Sequence, residues 1–221
     1  MTMGSARTIF SRLVLVAAPV PVLVMALVMA AALAIGSPAD ASVSIAVSFD
    51  ALVHDSTAVT VATPTEARAV WENGRIVTYT HLHVDRAVAG NLHANDAPWV
   101  ASLGGIVGTV GQVVDGEPTL HVGMPYLLFL RPDTMATAGT LIVTARAQGQ
   151  FHLQAAATPS PSVKSQVLVV RNPGVGEILP MHAPTQAGAT TPKAAADQIA
   201  DRPIDDVAKE IAVAWAKSHA P

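Results

Sequence analysis

The stretch from Ala58 to Val88 constrains the fold more than any other part of the chain. Two runs rich in Val, Thr and Ile flank Asn73-Gly74, a dipeptide typical of two-residue hairpin turns because both turn positions need a positive φ. A turn there predicts one apolar face made of facing pairs: Trp71 with Ile76, Ala69 with Thr78, Thr65 with Leu82, Thr63 with Val84, and Val59 with Val88. The other face carries polar and ionisable side chains: Glu66, Arg68, Tyr79, His81, His83 and Asp85. This alternation predicts a long hairpin with one buried side and one solvent-facing side.

Residues 1–41 are predicted to lie outside the folded domain. Arg7 and Arg12 precede an uncharged apolar run, residues 13–35, and Ala39-Asp40-Ala41 fits a small-x-small cleavage site. These features favour a signal peptide that is cut after Ala41. The alternative is an uncleaved N-terminal membrane anchor, since the apolar run is long enough to span a bilayer. In both cases we expect an exported protein, periplasmic or extracellular, that touches a membrane only through this segment.

Charge and cysteine content exclude several classes of protein. The chain has 13 Lys and Arg against 16 Asp and Glu, and Arg7 and Arg12 belong to the leader, so the remainder has no basic bias. This balance argues against nucleic acid as a partner. The chain has no cysteine, so an exported form would have no disulfide and no lipid-modified cysteine.

Short strands with turn signals between them predict a mainly β domain over residues 42–154. Ser48 is a candidate N-cap for a short helix, Phe49–Asp55, ahead of the hairpin. Tyr126–Leu130 has the length and composition of a buried central strand. Further strands are predicted at Trp99–Leu103, Thr140–Ala145 and Gln150–Gln154. The pattern is typical of a small β-barrel or sandwich.

The composition changes after Gln154. Residues 155–203 are rich in Pro and Ala, which predicts a flexible linker with one isolated strand candidate, Val167–Arg171. Residues 204–218 predict an amphipathic helix whose apolar stripe includes Ile204, Val207, Ile211 and Trp215. The stripe is expected to pack either on the barrel or on a partner.

Several motifs occur in a recognisable order. They are the Val84–Gly90 step V-x-x-x-V-x-G, the Gly104–Gln112 segment GGxxGxxGQ, the Val122–Leu130 run VGxxYLLFL, and AQGxF at Ala147–Phe151. In this order they resemble a family of uncharacterised exported bacterial β-barrel proteins. More distantly, the hairpin, the glycine at its end and the Tyr-Leu-Leu-Phe run are similar to netrin-like domains of the type found in tissue inhibitors of metalloproteinases, without their cysteines. The resemblance implies a small OB-like barrel and no catalytic residues.

His81 and His83 lie on one face of a strand, about 6.5–7 Å apart. The predicted register places Glu66 opposite His81, so two imidazoles and one carboxylate form a candidate zinc site. The alternative is an ordinary solvated strand face, and no other cofactor is predicted.

Three further side chains near the hairpin end, Trp71, Tyr79 and Arg68, are candidate ligand-binding residues. Trp71 is either an exposed aromatic anchor or the hairpin end packed under the barrel. The glycines of the Gly-rich segment and its Gln are interpreted as structural, because the segment opens no helix and has no Lys for a phosphate loop. These structural residues, together with the turn, are Asn73, Gly74, Gly104, Gly105, Gly108, Gly111 and Gln112.

No Gly-x-Ser-x-Gly or His-Glu-x-x-His motif is present, so the sequence favours a non-catalytic binding module of the cell envelope. Its expected partner is an envelope protein or a glycan. One alternative is a metal-binding protein or enzyme that uses Glu66, His81 and His83. Another is a structural envelope component held by an uncleaved leader.

Overall fold

The computed structural model describes residues 43–134, 139–156, 166–175, 177–179 and 193–220. They belong to one compact unit, Ala41–Pro221. The predicted leader, part of the Pro- and Ala-rich linker and residues 135–138 lie outside the described residues.

The helices are α1 (Phe49–His54), α2 (Ala195–Ile199) and α3 (Ile204–Ser218). The first strands are β1 (Val43–Ile45), β2 (Ala58–Glu72), β3 (Arg75–Gly90), β4 (Trp99–Leu103), β5 (Gly105–Val107) and β6 (Val110–Gln112). The later strands are β7 (Tyr126–Pro132), β8 (Leu141–Val143), β9 (Gln150–Ala155), β10 (Val167–Arg171), β11 (Glu177–Leu179) and β12 (Arg202–Pro203).

The predicted hairpin is the pair β2–β3, and its turn is the predicted dipeptide. Asn73 has φ 49° and Gly74 has φ 77°, as a two-residue turn with both positions left-handed requires. The predicted register holds from Trp71 with Ile76 down to Glu66 with His81.

Beyond Glu66 the predicted register is wrong, because one irregularity in β2 and two in β3 shift the pairing. Leu82 faces Pro64 instead of Thr65, Val84 faces Ala62 instead of Thr63, and Val59 faces Ala89 instead of Val88. A β-bulge adds one residue to one strand only and bends that strand, which a strand closing into a barrel needs.

Five strands close into a barrel in the order β2–β3–β4–β8–β7 and back to β2. All pairings in the ring are antiparallel except β4–β8, which is parallel. In chain order the third strand therefore pairs with the fifth, and the ring is the Greek-key arrangement of an OB-like barrel. The predicted fold class is confirmed.

Strand β7 divides the apolar residues of the domain between two cores. Tyr126, Leu128 and Leu130 point into the barrel, where they meet Leu82 and Val100. The intervening residues of β7 belong to a second cluster under the helices, which contains Phe49, Leu52, Val53, Val59, Leu127, Phe129, Phe151, Val169, Ile199, Val207 and Ile211. Because both faces of β7 are covered, its continuous apolar run is that of a buried central strand, as predicted.

The sheet continues past the barrel through β9, β10 and β12, which extend outward from β7. Strand β10 occupies the range of the isolated strand candidate and pairs with β9 along its whole length. The region interpreted as a linker therefore also contributes β10, β11, α2 and β12 among its described residues.

The two predicted helices lie over the second core. Ser48 caps α1 by accepting a hydrogen bond from the Ala51 N–H at 3.2 Å, as its sequence position predicts. Helix α3 buries Val207 and Ile211 against the domain's own core, and Trp215 is half-buried beside them. Arg86 of β3 pairs with Asp205 at 2.6 Å. The apolar stripe of α3 therefore packs on the domain itself, which is the first of the two predicted alternatives.

Candidate functional site

The face of the hairpin predicted to be solvent-facing is the outer surface of the barrel. Tyr79 and His81 of β3 lie opposite Arg68 and Glu66 of β2. On the other side, β4 places Ala101 opposite Tyr79 and Trp99 opposite His81. Some side chains on this face are therefore buried, because those of β2, β3 and β4 pack against one another there.

A cavity of about 210 Å³ opens on this outer face, and we name it the outer-face cleft. Its floor comes from alternate residues of β3, β4 and β8, which point the same way because side chains alternate along a strand: Val77, Tyr79, Ala101, Leu103 and Ile142. Its rim is polar and comes from the hairpin turn, the loop after β6, the end of β7 and the turn after β8: Glu72, Arg75, Glu117, Arg131, Asp133 and Arg146.

Tyr79 is the most constrained side chain of the cleft. Tyr79 points to the outer face of the barrel, as predicted. The prediction that it is solvent-exposed is wrong, because the residue is only 8% exposed. The hydroxyl donates toward both carboxylate oxygens of Glu72 at 2.9 Å. Burial raises the pKa of Tyr79, and the hydrogen bond to Glu72 and the Glu72 charge raise it further. The phenol is therefore held neutral and fixed in direction.

Glu117 fixes the opposite wall. One carboxylate oxygen accepts the Leu103 N–H at 2.9 Å and the other accepts from Arg146. The first bond ties the loop after β6 to the end of β4, and the second ties it to the turn after β8. The Glu72 wall and the Glu117 wall of the cleft are thus each held in place by side-chain hydrogen bonds, in addition to the backbone hydrogen bonds of the sheet.

The upper part of the face is a stack of three side chains. The His81 ring packs on Trp99 with 4.6 Å between ring centroids. The Arg68 guanidinium lies over the Trp99 ring at 5.3 Å, within the range of a cation–π contact. Arg68 is also close enough to Tyr79 for its charge to act on the phenol pKa, in the lowering direction. The stack therefore adjoins the cleft.

The candidate zinc residues are only partly brought together. Glu66 faces His81 as predicted, and His81 also lies against Thr65, with Nδ1 3.3 Å from Oγ1. His83 has its Nε2 3.8 Å from Asp85 Oδ1. The residues that the structure describes contain no group of three or more His, Cys, Asp or Glu placed to hold a metal ion.

Trp71 lies at the end of the hairpin, on the barrel-facing side of β2, and is 52% exposed. The Trp71 side chain is thus half exposed, although its partner Ile76 is fully buried. Trp71 is not one of the residues that line the cleft.

The Gly-rich segment forms the small hairpin β5–β6, which lies across the β2–β3 hairpin. A Cβ at Gly105 would lie 2.3 Å from Thr78 Oγ1, so only glycine permits this approach. Gln112 accepts the Ile76 N–H at 2.6 Å, a bond to the backbone of β3. The segment is structural in the way its glycines indicate.

Of the candidate binding residues from the sequence, Tyr79 lines the cleft and Arg68 lies in the adjoining stack, and most of the cleft was missed. The missed residues Arg75, Glu117, Arg131, Ile142 and Arg146 come from four separate stretches of the chain. The alternation of Trp99, Ala101 and Leu103 along β4 was a usable signal, but it becomes informative only when β4 is known to pair with β3.

A scan against protein-family models, a search of curated proteins and a search of solved structures each found no match to this chain. Among the described residues, no helix is both long enough and apolar enough to cross a membrane.

Proposed function

We propose that this protein is a non-catalytic binding module of the cell envelope and that it takes its ligand in the outer-face cleft. The observation that carries the proposal is the cleft itself, an apolar floor ringed by fixed polar groups. Concave sites of this composition are the usual form of ligand sites in proteins.

The position of the cleft in the fold supports the same function. In barrel order, β3 and β4 are the second and third strands, and the cleft lies on their outer face beside the first hairpin turn. OB barrels bind ligands on this face. This support is an analogy between folds, and it is also what the distant similarity to netrin-like domains implies.

The envelope location rests on the sequence of residues 1–41, with its apolar run and cleavage site. The expected partner is an exposed segment of an envelope protein or a glycan. Both are reached by an exported domain without any further transport step.

Affinity capture from an envelope extract with the immobilised domain tests the proposal. Leu103→Lys places a charge in the floor of the cleft, whereas Val213→Lys places the same charge on α3, where Val213 is 73% exposed and far along the chain from every cleft residue. We expect one reproducible partner with the parent domain and with Val213→Lys, and its loss with Leu103→Lys.

Melting temperatures of both variants establish that they fold, and Ile142→Lys repeats the test at a second floor position. Recovery of the same partner at undiminished yield by both floor variants would show that the cleft is not the binding site.

A further inference from the structure

We propose that the ligand of the outer-face cleft is an acidic peptide segment that carries aliphatic side chains between its carboxylates. The inference rests on the proposed function of the cleft and names the chemistry of its occupant. It follows from the donors and acceptors that the cleft leaves unused and from the surfaces that it leaves uncovered.

The acidic groups of the rim are already engaged. Glu72 accepts from the Tyr79 hydroxyl, and Glu117 accepts from the Leu103 N–H and from Arg146. Asp133 also has a partner. Each of the three rim carboxylates therefore already has at least one partner within the protein.

The cationic groups of the rim are not all engaged. Arg75 and Arg131 are exposed, and neither guanidinium has a carboxylate within ion-pair distance among the described residues. With Arg68 and Arg146, this face holds most of the arginines of the described chain, although the whole protein has a net charge of −3. A guanidinium presents a planar fork of N–H donors that matches a carboxylate, so Arg75 and Arg131 offer an anionic ligand donors that no described carboxylate of the protein pairs with.

The floor favours a peptide over a glycan. Sugars pack on open aromatic faces, but the Trp99 ring is covered by Arg68 and His81, and the Tyr79 ring is buried. What remains open is aliphatic, chiefly Leu103 and Ile142. Such a floor accepts Leu, Ile or Val side chains.

The barrel leaves no free strand edge at the cleft, because β8 pairs with β4 on one side and with β7 on the other. A peptide therefore cannot be held there by adding a strand to the sheet. Its carboxylates must supply the directional contacts through Arg75 and Arg131, which explains why the charge of the peptide is decisive.

Titration calorimetry with short synthetic peptides tests the inference. One peptide alternates leucine with glutamate, a second alternates leucine with lysine, and an oligomer of a uronic acid represents an acidic glycan. We expect binding of the leucine–glutamate peptide alone, with an affinity that falls as salt is raised.

Arg75→Gln and Arg131→Gln are each expected to weaken this binding about tenfold, as loss of a charged hydrogen bond does. Arg171→Gln removes an exposed arginine of β10 outside the cleft and is expected to change the affinity less than twofold.

Tighter binding of the leucine–lysine peptide or of the uronic acid oligomer overturns the acidic-peptide inference while leaving a ligand site in the cleft. The inference is also overturned if Arg171→Gln weakens binding of the leucine–glutamate peptide as much as Arg75→Gln and Arg131→Gln do. The attraction would then be a general effect of the protein's charge and not a property of the cleft. If no probe binds but the captured envelope partner is still lost in Leu103→Lys, the inference fails and the proposed function stands. If that partner is insensitive to Leu103→Lys as well, both fail.

Discussion

At the scale of single residues, the domain depends on a few positions where the backbone comes too close to a neighbour for a side chain. Gly105 has φ 130° and lies directly over Thr78 and Ala69 of the long hairpin. Gly90 has φ 92°, and a Cβ there would lie 2.2 Å from the Thr57 carbonyl oxygen. Such glycines set how closely the connecting segments pack on the barrel strands.

We expect Gly105→Ala to destabilise the domain by about 2–4 kcal/mol, because it combines overpacking with a backbone conformation that alanine disfavours. The new Cβ would press on Thr78 Oγ1, which is itself fixed by donating to the Gly104 carbonyl at 2.6 Å. Urea denaturation of the purified domain measures the change.

Gly111→Ala is the matched control in the same small hairpin. Its nearest neighbour would be Ile106 Cγ1 at 3.7 Å, an ordinary contact, and its φ is not positive. We expect a change within about 1 kcal/mol. Equal costs for the two substitutions would contradict the close-approach explanation.

At the scale of elements, helix α3 and strand β9 complete the second core and hold it on the barrel. Helix α3 is anchored by its apolar stripe, by the Arg86–Asp205 pair, and by Glu210, which accepts from Gln198 and Arg202. Burial acts to raise the pKa of Glu210, but these hydrogen bonds and the Arg202 charge hold it below its ordinary value. The helix is thus part of the domain and not an appendage.

Ile211→Ala is expected to cost about 2–5 kcal/mol, since Ile211 is fully buried among the residues of the second core. Val213→Ala, on the exposed side of the same helix, is expected to change stability by no more than about 0.5 kcal/mol. Thermal and urea unfolding followed by circular dichroism compare the two. A small cost at Ile211 would mean that α3 does not pack on the domain in solution.

His152 of β9 is expected to make the stability of the domain depend on pH. The His152 ring lies 5.0 Å from the Tyr126 ring. Burial lowers the pKa of His152, and the charge of nearby His121 lowers it further. A hydrogen bond with Asn172 acts in the opposite direction and offsets part of this decrease in pKa. The unfolded chain therefore binds a proton more readily than the folded one. The stabilising contribution is complete above about pH 6.5, the ordinary histidine value, and is lost as the pH falls through the folded-state pKa.

We accordingly expect the unfolding midpoint in urea to fall between pH 7.5 and pH 5.5, and His152→Gln to reduce that fall. His93→Gln, at an exposed histidine in the loop after β3, should leave the pH dependence as it is in the parent protein. An unchanged pH dependence in His152→Gln would assign the acid sensitivity to another group.

At the scale of the whole molecule, the described residues form an OB-like barrel, an added three-strand extension and three helices, and the chain has no cysteine that could form a disulfide. Stability then rests on the two cores that share β7, so the barrel and its helical cover are expected to unfold together. The cleft lies on the outer face of β3, β4 and β8, on the barrel surface that the helices do not cover.

N-terminal sequencing of the exported protein tests the predicted leader. We expect the mature chain to begin at Ser42, one residue before β1. A chain that begins at Met1 or Thr2 would instead support the membrane-anchored alternative.

Metal analysis of protein purified without a histidine tag tests the zinc alternative. If Glu66, His81 and His83 form a site, zinc should be stoichiometric and should be lost in the double substitution His81→Ala and His83→Ala. Zinc content that is far below one per chain, or unchanged by the double substitution, would remove the metal hypothesis.

The sequence by itself determined the elements that depend on neighbours in the chain. Asn73-Gly74 specified the turn, Ser48 specified the start of α1, and the apolar stripe specified α3, because turn conformation, capping and periodicity act over a few residues. The same local rules gave the register near the turn, down to Glu66 and His81.

Tertiary structure decided what depends on contacts distant in the sequence. The irregularities in β2 and β3 bend the hairpin as a closed barrel needs, which no local pattern encodes, and they changed the pairing beyond Glu66. The parallel pairing of β4 with β8 brought Ile142 and Arg146 to Tyr79, and the end of β7 brought Arg131. The cleft therefore exists only once the ring is closed, since closure is what places side chains from five separate stretches around one floor.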